Sequence, residues 1–267
     1  MIAAEPVTSK KTRIAVMAIA GLMIFSTVAL FVGMAIGSGN QTDIEEILLA
    51  ERNAKLERLN QLLAAYGEEL AAAADETNER YFATFATFRS EVNSFVPGNV
   101  TELHVRDLVV GEGDPLFDIE QDNSLLYIGW LGDSTVFDSS FDLNNSEDPN
   151  AWRTATRVRF PTTAHAQFIT GFKEGLIGRA GGSSTGSRLC TDGTFATPER
   201  DCPSIVEGMR IGGVRVVTIP HQKAYADSTF GAIPPFSPLR FLIMRVPFVP
   251  EPEPSEELVD LYMELQN

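Results

Sequence analysis

Four short runs of strand-forming residues, with one good amphipathic helix among them, are what most constrain how this chain folds. Leu103-His104-Val105-Arg106-Asp107-Leu108-Val109-Val110 alternates in strand fashion, Gly111-Glu112-Gly113-Asp114 supplies turn residues, and Ser124 to Leu131 reads as a second strand. Val214 to Ile219 and Leu239 to Val246 complete an antiparallel set. Between them, Gln167 to Gly178 is short and amphipathic. Strands that have one short helix to bury must curl over it. The expectation is therefore an α+β domain over residues 99–248, a curled antiparallel sheet around one short helix.

Upstream of that domain the texture is helical. Thr42-Asp43-Ile44-Glu45 has the form of a capping box, a hydroxyl able to accept a backbone N–H followed three residues later by a carboxylate. Leu49, Leu56, Leu63 and Leu70 then recur every seven residues, with Leu59, Tyr66 and Ala73 at the complementary offset, an a/d stripe that Arg52 interrupts. Apolar positions continue as Ala74, Tyr81, Phe85, Phe88, Val92 and Phe95 only if the phase slips by a four-residue stutter. A single helix of roughly 50 residues, on the order of 80 Å long, satisfies this pattern. So does a hairpin broken between Gly67 and Asn78, and Pro97-Gly98 ends either one. We read residues 42–96 as a long helical stalk whose coiled-coil stripe would serve a homodimer; a helix packed on its own domain is the competing reading.

From Ile14 to Gly37 runs an apolar segment of 24 residues without a charge, against the ~20 needed to cross a bilayer core. Signal-peptide h-regions run to only about 7–15 residues, so the length favours a retained transmembrane helix, although Ala35-Ile36-Gly37 has the small residues of a cleavage site. Lys10, Lys11 and Arg13 precede the segment and Asp43, Glu45 and Glu46 follow it, which places residues 1–13 in the cytoplasm. The expectation is a single-pass cell-membrane protein whose C-terminal domain is extracellular or periplasmic. Three of the 21 basic residues and one of the 36 acids precede the anchor, and the acidic remainder disfavours nucleic acid or anionic lipid heads as partners. Residues 249–267 read as a Pro/Glu linker and a short acidic helix, either a docking segment or a solvated end.

Cys190 and Cys202 lie in a Gly/Ser/Thr-rich stretch with no third cysteine and no histidine nearby to complete a zinc site. In an oxidising exterior they can close a loop worth on the order of 3 kcal/mol. Free thiols are the alternative, because spacing does not show that two side chains face each other. His104, His165 and His221 have no metal-ligand spacing, and neither a phosphate loop nor a serine-hydrolase elbow occurs. Metal, phosphoryl and nucleophilic chemistry are poor matches, and no cofactor is implied.

One ordered series of motifs stands out. Tyr127-Ile128-Gly129 and Val136-Phe137-Asp138-Ser139-Ser140 are followed by Phe168-Ile169-Thr170-Gly171-Phe172-Lys173-Glu174-Gly175-Leu176. Glu207-Gly208-Met209 with Gly212-Gly213, then Ala224-Tyr225, Ile233-Pro234-Pro235 and Leu239-Arg240-Phe241, continue it. In order and spacing this series, covering Thr101 to Phe248, resembles FKBP-type (macrolide-binding) peptidyl-prolyl cis–trans isomerases. The resemblance implies a proline pocket lined by Tyr127, Phe137, Phe168, Phe172, Ile233 and Phe241. The backbone N–H of Ile169 and the hydroxyl of Tyr225 would hold substrate carbonyls, with Asp138 near the rotating one. Phe172 stands where the family often has tryptophan. The arginine that commonly follows F-D-S-S is absent from Phe141-Asp142-Leu143-Asn144-Asn145, unless Arg153, Arg157 or Arg159 folds back.

An insertion at about 179–205, carrying both cysteines, leaves the far end of the helix and is expected not to line the pocket. The function implied is isomerisation of X–Pro bonds in proline-containing client polypeptides, assisting the folding of exported proteins. The alternative is a non-catalytic proline-peptide-binding chaperone or envelope scaffold using the same pocket.

Overall fold

The structure, a computed structural model, describes residues 42–141, 148, 150–158, 160–165 and 167–266, without the side chains of residues 42–47. The cytoplasmic segment and the anchor expected over 1–13 and 14–37 lie outside the described residues. Among those described, no helix is long and apolar enough to cross a membrane. In chain order the elements are α1 (Thr42–Thr77), α2 (Ala83–Thr87), β1 (His104–Val109), β2 (Ser124–Trp130), β3 (Val136–Ser139), α3 (Ala151–Thr154), α4 (Thr170–Ile177), β4 (Val214–Ile219), β5 (Leu239–Val246) and α5 (Glu256–Gln266). Two compact units result: residues 73–250 form one, and residues up to Ala72 with 251–267 form the other.

The larger unit is built on one antiparallel sheet in the order β1-β4-β5-β2-β3. Side chains alternate across it. Leu239, Phe241 and Ile243 of β5 enter a core with Phe172, Leu176 and Ile177 of α4, whereas Leu242, Met244 and Val246 enter a second core on the opposite face. Two glycines let α4 lie close on the sheet. A Cβ at Gly171 would come within 2.3 Å of Ile219, and one at Gly175 within 2.5 Å of Val217.

Beneath the C-terminal end of α4 a single guanidinium ties three segments together. Arg215 of β4 is 2% exposed, and it donates to Asp107 on β1 from Nε at 2.6 Å and from Nη2 at 3.0 Å. It also donates to the carbonyls of Gly175 at 2.7 Å and Glu207 at 2.9 Å. A cation at this end of a helix meets the negative pole of its backbone dipoles. Gly178 closes α4 in the left-handed conformation, φ 71°, its N–H donating to the Glu174 carbonyl.

The second core shows where the continuation of the leucine stripe goes. α1 runs unbroken past Gly67, so there is no hairpin, and the expected phase slip is taken up by a π-helical turn at Asn78–Phe82. The Asn78 amide holds that turn, donating to the Ala74 carbonyl at 3.2 Å and the Val158 carbonyl at 3.0 Å, and accepting the Val158 N–H at 2.8 Å. The continuous helical run stops near Glu91, and a separate 3-10 turn follows at Pro97–Asn99. Phe85 and Val92 pack with Ile128, Trp130 and Trp152 on the sheet's outer face. The indole N–H of Trp130 donates to the Asn93 carbonyl at 2.9 Å. Residues 73–96, read from the sequence as the upper stalk, thus belong to the unit that holds the sheet. The physical reason is that β2 is buried along its whole length, and a sheet apolar on both faces requires a layer on each.

In the smaller unit α5 lies along α1. Arg58 makes two bonds to Glu257, at 2.7 and 2.8 Å, and Lys55 reaches Glu264 at 3.0 Å. The Tyr66 hydroxyl donates to the Pro252 carbonyl at 3.0 Å, and burial raises its pKa. Leu59 and Leu258 are nearly inaccessible. The acidic tail is therefore not a solvated end, since it covers part of the stripe within the same chain. This covers apolar surface that a coiled-coil partner would otherwise need to cover.

Removing Arg215 leaves Asp107 exposed to water but takes the donor from the carbonyls of Gly175 and Glu207, at about 1–3 kcal/mol each and so about 2–6 kcal/mol together. Arg215→Met should lower the unfolding free energy of the full chain by that amount in urea titrations. Arg200→Ala, which breaks the exposed Asp192 pair, should leave it nearly unchanged. Equal effects would show that Arg215 does not hold these segments together.

Candidate functional site

Phe172, in the first turn of α4 and 1% exposed, is the floor of an aromatic cluster at the inner face of the sheet. Its ring lies 5.1 Å from Phe168, 5.0 Å from Phe241 and 6.3 Å from Tyr127. Phe137 meets Phe241 edge-on at 5.6 Å. Edge-to-face pairs bring the positive rim of one ring to the negative face of the next. The register explains the convergence, since Gly129 of β2 pairs with both Phe241 of β5 and Asp138 of β3. A Cβ at Gly129 would lie 2.7 Å from both the Phe137 and Phe241 rings, so only glycine leaves room for them.

Exposure grades outward from this floor. Tyr127, Ile233 and Phe241 are buried, Phe137, Phe168, Ile169 and Tyr225 are half-buried, and Asp138 is exposed. The Tyr127 hydroxyl donates to Asp138 Oδ2 at 2.6 Å. Ser140, the second serine of the F-D-S-S motif, fixes the strand beneath: its Oγ accepts the Tyr127 N–H at 2.6 Å and donates to the Tyr127 carbonyl at 3.2 Å. Ile169 is the N-cap of α4. Its N–H is one of the donors that the i→i−4 ladder of a helix leaves unused.

Tyr225 sits in the connection between β4 and β5, its ring stacked on the exposed Phe230 at 4.4 Å. Burial, with the Asp138 charge adding, raises its phenol above the ordinary value of 10.0. Near neutrality it is therefore a hydrogen-bond donor. Eight of the nine residues assigned to the pocket from the sequence pack in or against one core, and the ninth, Asp138, is tied to them by the Tyr127 hydroxyl. Of the arginines considered as partners for Asp138, Arg153 lies over the Trp152 ring at 4.2 Å and Arg157 donates to Asp75 at 3.3 Å. Arg159 and the loop at 142–147 lie outside the described residues.

The insertion does more than cap the far end of α4. Cys190 and Cys202 form a disulfide with Cα atoms 5.3 Å apart. Leu189 enters the inner core and Phe195 packs against it. The Lys223 ammonium sits 4.5 Å over the Phe195 ring and donates to Glu174 Oε2 at 2.5 Å. Glu174 Oε1 also accepts the Gly181 N–H at 3.0 Å. The insertion thus touches the segment carrying Tyr225, two residues beyond Lys223, a contact that sequence reasoning missed. The one available signal was a glutamate inside the apolar stripe of α4, because a buried carboxylate needs a cation.

Among the described residues no group of three or more His, Cys, Asp or Glu is placed to hold a metal ion. The arrangement offers an apolar floor, a carboxylate, a phenol and helix-start N–H groups. It can grip and polarise a carbonyl-bearing chain without covalent chemistry.

No protein-family model and no curated protein matches this chain. It is similar to the solved crystal structure of AtFKBP13, at 22% identity and a TM-score of 0.32, over 56% of this chain and 93% of that one. It is also similar to a peptidyl-prolyl cis–trans isomerase from Pseudomonas syringae pv. tomato, at 19% identity and a TM-score of 0.31, over 66% and 93%. Likeness at that level carries no argument about the site, which stands on the geometry above.

Forcing a methyl group between the two rings should cost about 1–3 kcal/mol. Gly129→Ala is expected to lower the melting temperature and weaken near-ultraviolet aromatic dichroism. Gly98→Ala, where a Cβ would meet nothing within 4 Å, should leave both unchanged. Identical behaviour of the two variants would contradict the packing described.

Proposed function

We propose that residues 99–248 carry an FKBP-type peptidyl-prolyl cis–trans isomerase, held at the membrane by the apolar segment 14–37 and assisting the folding of exported proteins. The observation that supports this most is the aromatic cluster floored by Phe172, with Asp138 and Tyr225 at its rim. The anchored, outward-facing placement rests on the sequence alone.

An X–Pro bond rotates over a barrier of ~18–20 kcal/mol because planarity preserves amide resonance. Resonance separates charge. An amide moved from water to an apolar cleft loses part of that stabilisation, and the twisted form becomes easier to reach. In this reading the proline ring rests on Phe172 among Tyr127, Phe137, Phe168, Ile233 and Phe241. The Ile169 N–H and the Tyr225 hydroxyl hold flanking carbonyls, and Asp138 faces the rotating one. Catalysis is then tighter binding of the twisted amide than of either planar form. Phenylalanine at position 172 keeps the apolar floor and offers no N–H.

A second reading, peptide binding without rate enhancement, draws on the 2.6 Å bond from Tyr127, which already occupies part of the Asp138 carboxylate. One assay separates the two. The full chain in detergent should accelerate isomerisation of an X–Pro peptide. Tyr225→Phe should lower kcat/KM roughly two- to tenfold, the worth of one hydrogen bond. Asp138→Ala should lower it about tenfold or more, and the rate should be flat in pH up to about 9 because the Tyr225 phenol stays protonated. A rate equal to the uncatalysed one, with peptide still bound, would establish the binding module instead.

A further inference from the structure

The face of the sheet opposite α4 is not apolar throughout. At the end bearing β1, His104, Thr218 and Arg240 lie side by side across three strands, with Arg106 two residues along β1. The segment at Glu91 and Asn93 forms the opposite wall of a cleft of about 440 Å³. Val216 is part of its lining, and Phe95 stacks on the Arg240 guanidinium at 4.2 Å. Its size falls within the range of small-molecule sites.

Its charges do not balance. Arg106 is paired with Glu91, the one acid lining the cleft among the described residues. Arg240 has no such partner there. Its Nε donates to the Thr218 hydroxyl at 2.9 Å, and no carboxylate among the described residues lies within 4.0 Å of it. Burial lowers its pKa, the nearby Arg106 charge adds to that, and Glu91 only partly opposes it. A half-buried guanidinium facing a second one, in a chain of net charge −15, is held at an electrostatic cost that a bound anion would relieve.

We infer that this outer cleft is a binding site for a small organic carboxylate. The open fork of Arg240 takes the carboxylate in the planar, two-bond geometry that guanidinium and carboxylate share. Arg106 supplies the second positive charge, and Val216 receives the apolar body. A volume well above that of a bare ion, with Val216 in a mostly polar lining, favours a small organic acid over inorganic phosphate. Glu91 competes with the ligand for Arg106. The site shares strands with the aromatic cluster but no side chain, so it is independent of the isomerase reading.

Titration calorimetry on the full chain in detergent, with benzoate as the probe, tests this. Benzoate should bind saturably, and more weakly as salt rises. Benzamide, neutral and of the same shape, should bind at least tenfold more weakly. Arg240→Met should weaken benzoate at least tenfold, whereas Glu91→Gln should tighten it about threefold, a gain that a merely structural arginine pair would not give. Should Arg240→Met fail to fold by far-ultraviolet dichroism, Glu91→Gln and benzamide still decide. The inference is overturned by absent binding in both wild type and Glu91→Gln, or by equal binding of benzamide. Phosphate binding in place of benzoate would equally overturn it.

Discussion

The guanidinium of Arg215 is the interaction on which most of the larger unit depends. It is buried beside a core built mainly of Leu, Ile, Phe and Val, where an unpaired charge would be costly, and it finds acceptors in Asp107 and the Gly175 and Glu207 carbonyls. Those acceptors belong to the edge strand β1, the end of α4 and the segment entering β4. One side chain therefore sets where the helix stops and how the edge strand is held beside it. With that end of α4 pinned and Gly171 and Gly175 seated on Ile219 and Val217, the other end can point only one way. It points Ile169 and Phe172 into the aromatic cluster.

A single register serves two chemistries. Because neighbouring residues in a strand face opposite sides, Arg240 and Phe241 of β5 belong to different surfaces, as do Val217 and Thr218 of β4. The inner surface is an aromatic floor with a polar rim. The outer one is filled by Phe85, Val92 and Trp152 over most of its area and becomes a charged cleft where that filling ends. A one-residue slip between β4 and β5 would exchange the two sets, so the sites stand or fall on the same pairing.

Much of this was legible in the residues. The strands around β2, β4 and β5 and the helix at α4 announce themselves by composition, length and flanking turns. The ordered Y-x-G and F-D-S-S motifs put residues of the aromatic cluster on β2 and β3, and Ala-Tyr follows in the connection after β4. Less legible was everything that depends on which apolar face meets which. The stripe from Leu49 to Phe95 has one texture, yet Leu49 is exposed, Leu59 and Tyr66 are buried in the smaller unit, and its last part fills the outer face of the sheet. The π turn at Asn78, where the phase slips, is held by an amide that reaches Val158, a residue remote in sequence.

The sequence by itself determined the kinds of elements, the parity of each strand and the residues able to form an apolar, carbonyl-gripping pocket, because those follow from local periodicity and side-chain chemistry. Only the tertiary structure decided that Arg215 lies under α4, that Phe195 of the disulfide-closed insertion meets Lys223, and that Arg106 and Arg240 share a cleft. These are contacts between residues far apart along the chain, and their existence depends on three-dimensional distance, which no one-dimensional spacing encodes.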